Sequence, residues 1–281
     1  MTLAPALVPV VGVALAALAA GAGAVTAGAG ADAAGAWLLP AAIVVAWECA
    51  FLARRTDRNH PPGEPDAVAG GLGLANAVTL GRGLLYAGVA GFVLTGPLAG
   101  PWAWAPALLY GSGAALDAVD GVLARRLGRP TVLGEKLDLG IDTLGFLVAP
   151  LAGVAWGRIP VWYLTLSAAR YLFKLGCWRR RRRGLPVSDL PASRVRRPLA
   201  GVQMAFIAVA LAPVLPPSVV AAIAGVVVAP SLAVFVRDYL VVAGHLGGGD
   251  DDAEPTGGDG GEATGDDEPA SAGDVAGAGD D

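Results

Sequence analysis

Long apolar runs alternate with short polar stretches along most of this 281-residue chain. Eight of the runs are about as long as the hydrocarbon core of a bilayer is thick. They lie near residues 5–29, 36–53, 72–95, 100–122, 138–156, 160–177, 199–216 and 218–243. A soluble helical domain has no need of so many such runs. The pattern therefore predicts an all-α fold, a polytopic membrane helix bundle.

Polar segments divide the chain into four parts. The best internal boundary is the polar loop RRTDRNHPPGEPD at residues 54–66, between the second and third runs. We predict an N-terminal pair of transmembrane helices at 1–53, a cytoplasmic linker at 54–71, a six-helix membrane domain at 72–243, and a tail at 244–281. The tail carries twelve acidic residues and no Lys or Arg between Gly247 and Asp281. Since it has little to bury, it is predicted to be disordered.

The formal net charge of −4 conceals a basic membrane body, because so many acidic residues belong to the tail. The basic residues concentrate in three loops on one side of the predicted bundle. The first loop holds Arg54, Arg55 and Arg58, the second Arg125, Arg126, Arg129 and Lys136, and the third Arg179 to Arg183 with Arg194, Arg196 and Arg197. The positive-inside rule places these loops, both termini and the tail in the cytoplasm.

Four aspartates lie near the cytoplasmic ends of two consecutive runs. Asp117 and Asp120 are three residues apart, and Asp138 and Asp142 are four apart, so each pair shares one helix face. The two helices are joined by a short loop and should be antiparallel neighbours, which lets all four carboxylates converge. Such carboxylates repel one another unless cations are present, and hard divalent cations prefer oxygen ligands. The spacing predicts a site for Mg²⁺ or Mn²⁺.

Small residues and one arginine accompany these aspartates. Gly121 follows Asp120 directly, Gly134 lies one turn before Asp138, and Ala124 precedes Arg125. Missing side chains let a nucleotide approach the backbone, and a guanidinium is suited to a phosphate. Aspartates at helix ends also serve as caps, but a cap does not require the whole constellation.

The segment from Asp117 to Asp142 reads D-x2-D-G-x2-A-R-x8-G-x3-D-x3-D. This pattern resembles the signature of the CDP-alcohol phosphatidyltransferase family. The resemblance implies a six-helix core, preceded here by two further spans, a cytoplasm-facing polar cavity and two divalent metal ions. It further implies that Asp117, Asp120 and Asp138 bind metal, with Asp142 as a further ligand or the base, and that Gly121, Ala124, Arg125 and Gly134 lie at the CDP group of a CDP-activated lipid. Asn76, Thr79 and Arg82 form N-x2-T-x2-R, similar to the family's opening motif on the nucleotide side.

The reaction implied by this resemblance joins the donor lipid to an alcohol in phospholipid biosynthesis. Asp142 is predicted to be the base that takes the hydroxyl proton. Arg170 and Lys174 share a face of the sixth run, and Arg194 and Arg197 open the seventh. These four residues predict an anion pocket for a small, phosphorylated polar alcohol, although basic residues at helix ends also mark topology.

The acceptor remains open at this point. The segment ASRVRRPLAGVQM resembles a stretch of phosphatidylglycerophosphate synthases through Ser193, Gln203 and Met204, but Arg196, Arg197 and Ala200 depart from it. The alternative acceptor is a non-phosphorylated alcohol such as serine or inositol. The alternatives to the enzyme itself are a carboxylate-lined transporter and an inactive scaffold. The predicted partners are the CDP-activated lipid, the alcohol and membrane lipid. No nucleic-acid partner is expected, and a homodimer is left open.

Overall fold

The computed structural model describes residues 4–127, 131–187 and 195–245, apart from the side chains of residues 4–6 and 118–127. Its regular structure within those ranges is entirely helical. The α-helices are α1 (Ala4–Ala29), α2 (Ala31–Ala53), α3 (Gly73–Gly91), α4 (Ala105–Leu127), α5 (Val132–Ala155), α6 (Leu164–Arg182), α7 (Arg196–Leu211) and α8 (Pro217–Val242). Each of the eight apolar runs thus corresponds to a helix, and the all-α prediction is confirmed.

The largest difference from the predicted boundaries is at α5, which begins at Val132 rather than near residue 138. Thr131 has an extended backbone, and its hydroxyl accepts a hydrogen bond from the Gly134 amide at 3.0 Å. Such an N-cap satisfies an amide that the first helical turn leaves unpaired. Because the cap lies so early, Asp138 and Asp142 occupy the second and third turns rather than the helix start.

Four helices in the described part of the chain are long and apolar enough to cross a membrane: α1 from Leu7, α2, α5 and α8. Large apolar side chains on their outer faces are exposed, including Val8 on α1 and Val226 on α8. Outward apolar surface of this kind is expected where lipid replaces water. The chain is therefore a polytopic membrane protein. The remaining helices are shorter or carry charged residues.

The N-terminal pair is packed on the rest of the bundle through α2 and α3. The Trp37 indole on α2 donates a hydrogen bond to the Gly88 carbonyl on α3 at 3.0 Å. Gly91, one turn further along α3, faces the same indole so closely that a Cβ would overlap it. Glycine therefore sets how near the two helix backbones approach.

Replacing Gly91 with alanine should lower the free energy of unfolding by about 1–3 kcal/mol, because the added methyl displaces the Trp37 indole from its hydrogen bond. Thermal unfolding of the purified protein in detergent measures this. Gly81→Ala on the same helix is the matched control, since its Cβ would meet nothing within 4 Å. That variant should be as stable as the parent or slightly more stable. Equal melting temperatures for the two variants would contradict the packing argument.

Helix α3 also brings α4 and α5 together. The Tyr86 ring on α3 is fully buried, and a Cβ on Gly113 of α4 or Gly145 of α5 would lie 2.5 Å or 2.7 Å from its atoms. The two glycines thus let both helices close on one aromatic ring. Gly113 lies one turn before Asp117, and Gly145 lies three residues after Asp142, so this contact places the acidic segments beside each other.

Candidate active site

A fully buried arginine from α3 holds the acidic residues of α4 and α5. Its two terminal nitrogens lie 2.7 Å from Asp117 Oδ1, 2.7 Å from Asp138 Oδ1 and 2.5 Å from Asp142 Oδ1. The arginine is Arg82, one turn before Tyr86. A planar guanidinium can serve several carboxylates at once, which a lysine cannot do with the same geometry.

The convergence predicted from the aspartate spacing is present for three of the four residues. One carboxylate oxygen from each of Asp117, Asp138 and Asp142 lies within 4.8 Å of the others. Their side chains keep 34%, 48% and 27% of their surface exposed, respectively. The cluster is therefore closed on the Arg82 side and accessible from the other side, as a substrate-binding site must be.

The fourth aspartate belongs to the same helix as Asp117. Helix α4 continues unbroken to Leu127, which puts Asp120 on the face of Asp117. The side chains of Asp120, Ala124 and Arg125 lie outside the described residues, as does any contact of Gly121. Their predicted roles remain predictions.

The other residues predicted at the nucleotide are grouped at the starts of α3 and α5. Asn76 and Thr79 are buried, and the Asn76 amide donates to Asn59 Oδ1 at 3.3 Å. A Cβ on Gly134 would lie 2.7 Å from Asn76 Oδ1. The absence of a side chain at Gly134 therefore lets the two helix starts meet. The structure thus places Asn76 beside Gly134, and contact with a CDP group stays a prediction for both.

Two of the basic residues predicted to bind the acceptor, Arg170 and Lys174, line different cavities. Arg170 stacks over the Phe146 ring at 4.7 Å and lies near enough to Asp142 for an electrostatic interaction. Lys174 lines a separate groove beside α2. Arg197 is exposed in the first turn of α7, and Arg194 lies outside the described residues.

Three features of the site were not predicted. Arg82 was assigned to the lipid donor, and its ion pairs with the aspartates were not foreseen. Asn59 in the linker is buried and donates to the Gly71 carbonyl at 2.8 Å. Glu48 on α2 is buried against Gly83, and neither of its oxygens has a hydrogen-bond partner among the described residues. An acidic residue within an apolar run was the available signal for Glu48.

The donor set fits a divalent cation. Three carboxylates within 4.8 Å of one another supply only oxygen, the ligand that Mg²⁺ and Mn²⁺ prefer. One guanidinium balances one of the three negative charges, so an excess of two remains at the cluster when all three are ionised. The carboxylates already pair with one cation, the Arg82 guanidinium, and their remaining negative charge supports a site for a further cation at this cluster.

The helix bundle carries an acidic cluster that could hold a metal ion, and the comparison with family models gives the class of protein. Residues 72–236, more than half of the chain, match the model of the CDP-alcohol phosphatidyltransferase family. The chain belongs to this family of transferases, as its motif predicted. Comparison with curated proteins and with solved structures returns no match. The family uses a divalent metal, and its reaction transfers a phosphatidyl group from a CDP-alcohol to an acceptor alcohol.

Proposed function

We propose that this protein transfers a phosphatidyl-type group, either diacylglycerol phosphate or archaeol phosphate, from a CDP-activated lipid to a small phosphorylated alcohol. The products are CMP and a phospholipid. The observation that carries the proposal is the cluster of Asp117, Asp138 and Asp142 around one buried guanidinium, in a chain of this family. We also propose that the active site faces the cytoplasm. The basic loops lie at the same end of the helices as the aspartates, and the positive-inside rule places such loops in the cytoplasm.

In the proposed reaction, the acceptor hydroxyl oxygen attacks the phosphorus atom that carries the lipid. The new oxygen–phosphorus bond forms as the bond to CMP breaks, and CMP leaves with that electron pair. Asp142 takes the hydroxyl proton. This role is supported by its place in the carboxylate cluster, where its side chain keeps 27% of its surface exposed.

Asp117, Asp120, Asp138 and Asp142 would hold the metal ions, proposed to be two Mg²⁺ or Mn²⁺. Bound there, the ions supply positive charge to the donor pyrophosphate and to the leaving CMP. Arg82 holds the carboxylates of α4 and α5 beside each other. The residues proposed to line the CDP group are Asn76, Thr79, Gly121, Ala124, Arg125 and Gly134.

The proposal that the acceptor is phosphorylated depends mainly on the position of Arg170. Arg170 lies near Asp142, and it lines a small cavity together with the polar side chains of Ser167 and Gln203. An acceptor phosphate at Arg170 would place its hydroxyl near the proposed base. Arg194 and Arg197 are proposed to extend this basic surface from the start of α7.

The proposal predicts metal- and acceptor-dependent release of CMP. Purified full-length protein is incubated with labelled CDP-diacylglycerol or CDP-archaeol and with glycerol phosphate, inositol phosphate, inositol or serine. With Mg²⁺ or Mn²⁺ present, CMP should appear with a phosphorylated acceptor, and EDTA should lower the rate by at least about 100-fold, because the cluster loses the charge that stabilises the leaving group.

The Asp138→Asn variant, purified in the same way, is the reference for contaminating activity. Turnover only with serine or inositol would contradict the phosphorylated acceptor and leave the transferase reaction intact. Donor binding without CMP release for any acceptor would overturn the reaction itself and favour an inactive scaffold.

A further inference from the structure

A groove of about 880 Å³ lies between α2 of the N-terminal pair and α5 of the family domain. One wall is α2, the other is α5, and α6 contributes Tyr171 and Lys174. The walls are mostly apolar, and both α2 and α5 are long and apolar enough to span the bilayer. Gly140 on α5 brings the Trp47 and Phe51 rings to within 3.4–3.5 Å of where its Cβ would be, so the two walls meet there.

One end of the groove is strongly basic. The lining residues include Arg54, Arg55 and Arg58 just after α2, Lys136 near the start of α5, and Lys174 in the second half of α6. Among the residues that the structure describes, no acidic one lines the groove. Because α5 and α6 are successive helices, the start of α5 and the end of α6 lie at the same end as the Arg54–Arg58 segment. The positive charge therefore stands at the mouth, above apolar walls.

The dimensions of the groove match one leaflet. Its lining on α5 extends from Lys136 to Val148, a rise of about 18 Å at 1.5 Å per residue. The hydrocarbon core of a bilayer is about 30 Å thick, so one leaflet accounts for about half of that. A molecule that fits must therefore be anionic at one end and hydrocarbon over about the depth of one leaflet.

The groove is separate from the aspartate cluster. Successive residues of an α-helix are rotated by about 100° around its axis. The mean direction of Lys136, Gly140 and Leu147 therefore lies about 160° around α5 from the mean direction of Asp138 and Asp142. A donor with its pyrophosphate at the aspartates would have the body of α5 between itself and the groove. The occupant is therefore not the CDP-activated donor in its reactive position.

We propose that this groove binds an anionic membrane phospholipid, with its phosphate at the basic mouth and its chains along α2 and α5. Residues 31–53 lie outside the family match at 72–236, so the N-terminal pair adds one wall of a lipid site to the family domain. This inference does not depend on which alcohol the enzyme uses, or on the transferase reaction itself.

The charge is tested first. Full-length protein, delipidated in detergent, is titrated with fluorescent phosphatidylglycerol and with phosphatidylcholine of the same chains. Phosphatidylglycerol should bind at least about tenfold more tightly than phosphatidylcholine. The double variant Arg54→Gln/Lys136→Gln should weaken phosphatidylglycerol binding by about thirtyfold, or about fivefold for each charge removed. The matched control is Arg181→Gln/Arg182→Gln, two exposed residues on α6 that do not line the groove, and its affinity should stay within about twofold.

The shape is tested separately. Thr143→Trp places an indole in the groove and should reduce phosphatidylglycerol binding by at least about tenfold, since it removes volume needed by the chains. Thr165→Trp is the matched control, because Thr165 is exposed on α6 and its hydroxyl, like that of Thr143, bonds a backbone carbonyl at 2.7 Å. Melting temperatures establish that both variants are folded.

Three outcomes would overturn the proposal. They are equal affinity for the two lipids, equal losses in the groove and control variants, and displacement of the bound probe by CDP-diacylglycerol but not by unlabelled phosphatidylglycerol. The last outcome would assign the groove to the donor. Because lipid binding is measured without turnover, its failure leaves the proposed transferase reaction untouched.

Discussion

Replacing Asp142 with asparagine is expected to lower kcat for CMP release by about 10²- to 10⁴-fold, while the affinity for the CDP-activated lipid changes by only a few-fold. Asparagine keeps the size of aspartate and an oxygen that can accept the Arg82 hydrogen bond, but it cannot take a proton. Asp117 and Asp138 remain to hold the cluster. Single-turnover CMP release and binding of a labelled donor measure the two effects independently.

Asp32→Asn is the matched control, because Asp32 is an exposed aspartate in the first turn of α2 and lies outside the cluster. It should keep activity within about twofold. Turnover of Asp142→Asn near that of the parent would remove Asp142 from the base role. Loss of donor binding together with turnover would show that Asp142 acts mainly through the metal and donor, and the base would have to be sought among the other carboxylates.

Much of the bundle could be predicted from hydrophobicity alone. An apolar run long enough to span a bilayer has little choice but to form a helix, since unpaired backbone groups are costly in lipid. The aspartates could be predicted for the converse reason, because charge within such a run is costly unless it has a partner or a function. Spacings of three and four residues then put Asp117 with Asp120 and Asp138 with Asp142 on shared faces.

The position of Arg82 could not be predicted in this way. It pairs with Asp138 and Asp142 across 56 and 60 residues of sequence. That pairing depends on how closely α3, α4 and α5 approach, which is set by Tyr86 against Gly113 and Gly145. Helical periodicity describes one helix at a time and contains no information about which glycine meets which ring. The same reason explains why the groove between α2 and α5 was not foreseen.

Arg82 lies on the closed side of the aspartate cluster. It is the main cation beside the three carboxylates when divalent ions are absent. It is 0% exposed, so water cannot replace it. A guanidinium and a divalent ion offer positive charge to the same oxygens, and the stability of the metal-free protein should therefore depend on Arg82 more than the stability of the metal-loaded protein does.

Replacing Arg82 with glutamine should lower the free energy of unfolding in EDTA by roughly 3 kcal/mol. This is the lower end of the range for removing one partner of a buried ion pair, because the aspartates are partly exposed and solvent screens their repulsion. Adding Mg²⁺ or Mn²⁺ should recover part of that loss and raise the Tm of the variant more than that of the parent. Thermal unfolding in detergent, with EDTA and then with each ion, measures both effects.

Arg82→Lys supplies the comparison that separates charge from geometry. A lysine keeps one positive charge but cannot bridge three carboxylates from two helices, so its Tm in EDTA should lie between those of the parent and Arg82→Gln. Equal stabilisation of the parent and Arg82→Gln by Mg²⁺ would mean that the ion binds away from the oxygens that Arg82 holds. A variant as stable as the parent in EDTA would mean that α4 and α5 are held by the Tyr86 packing alone, and that the buried guanidinium serves the substrate instead.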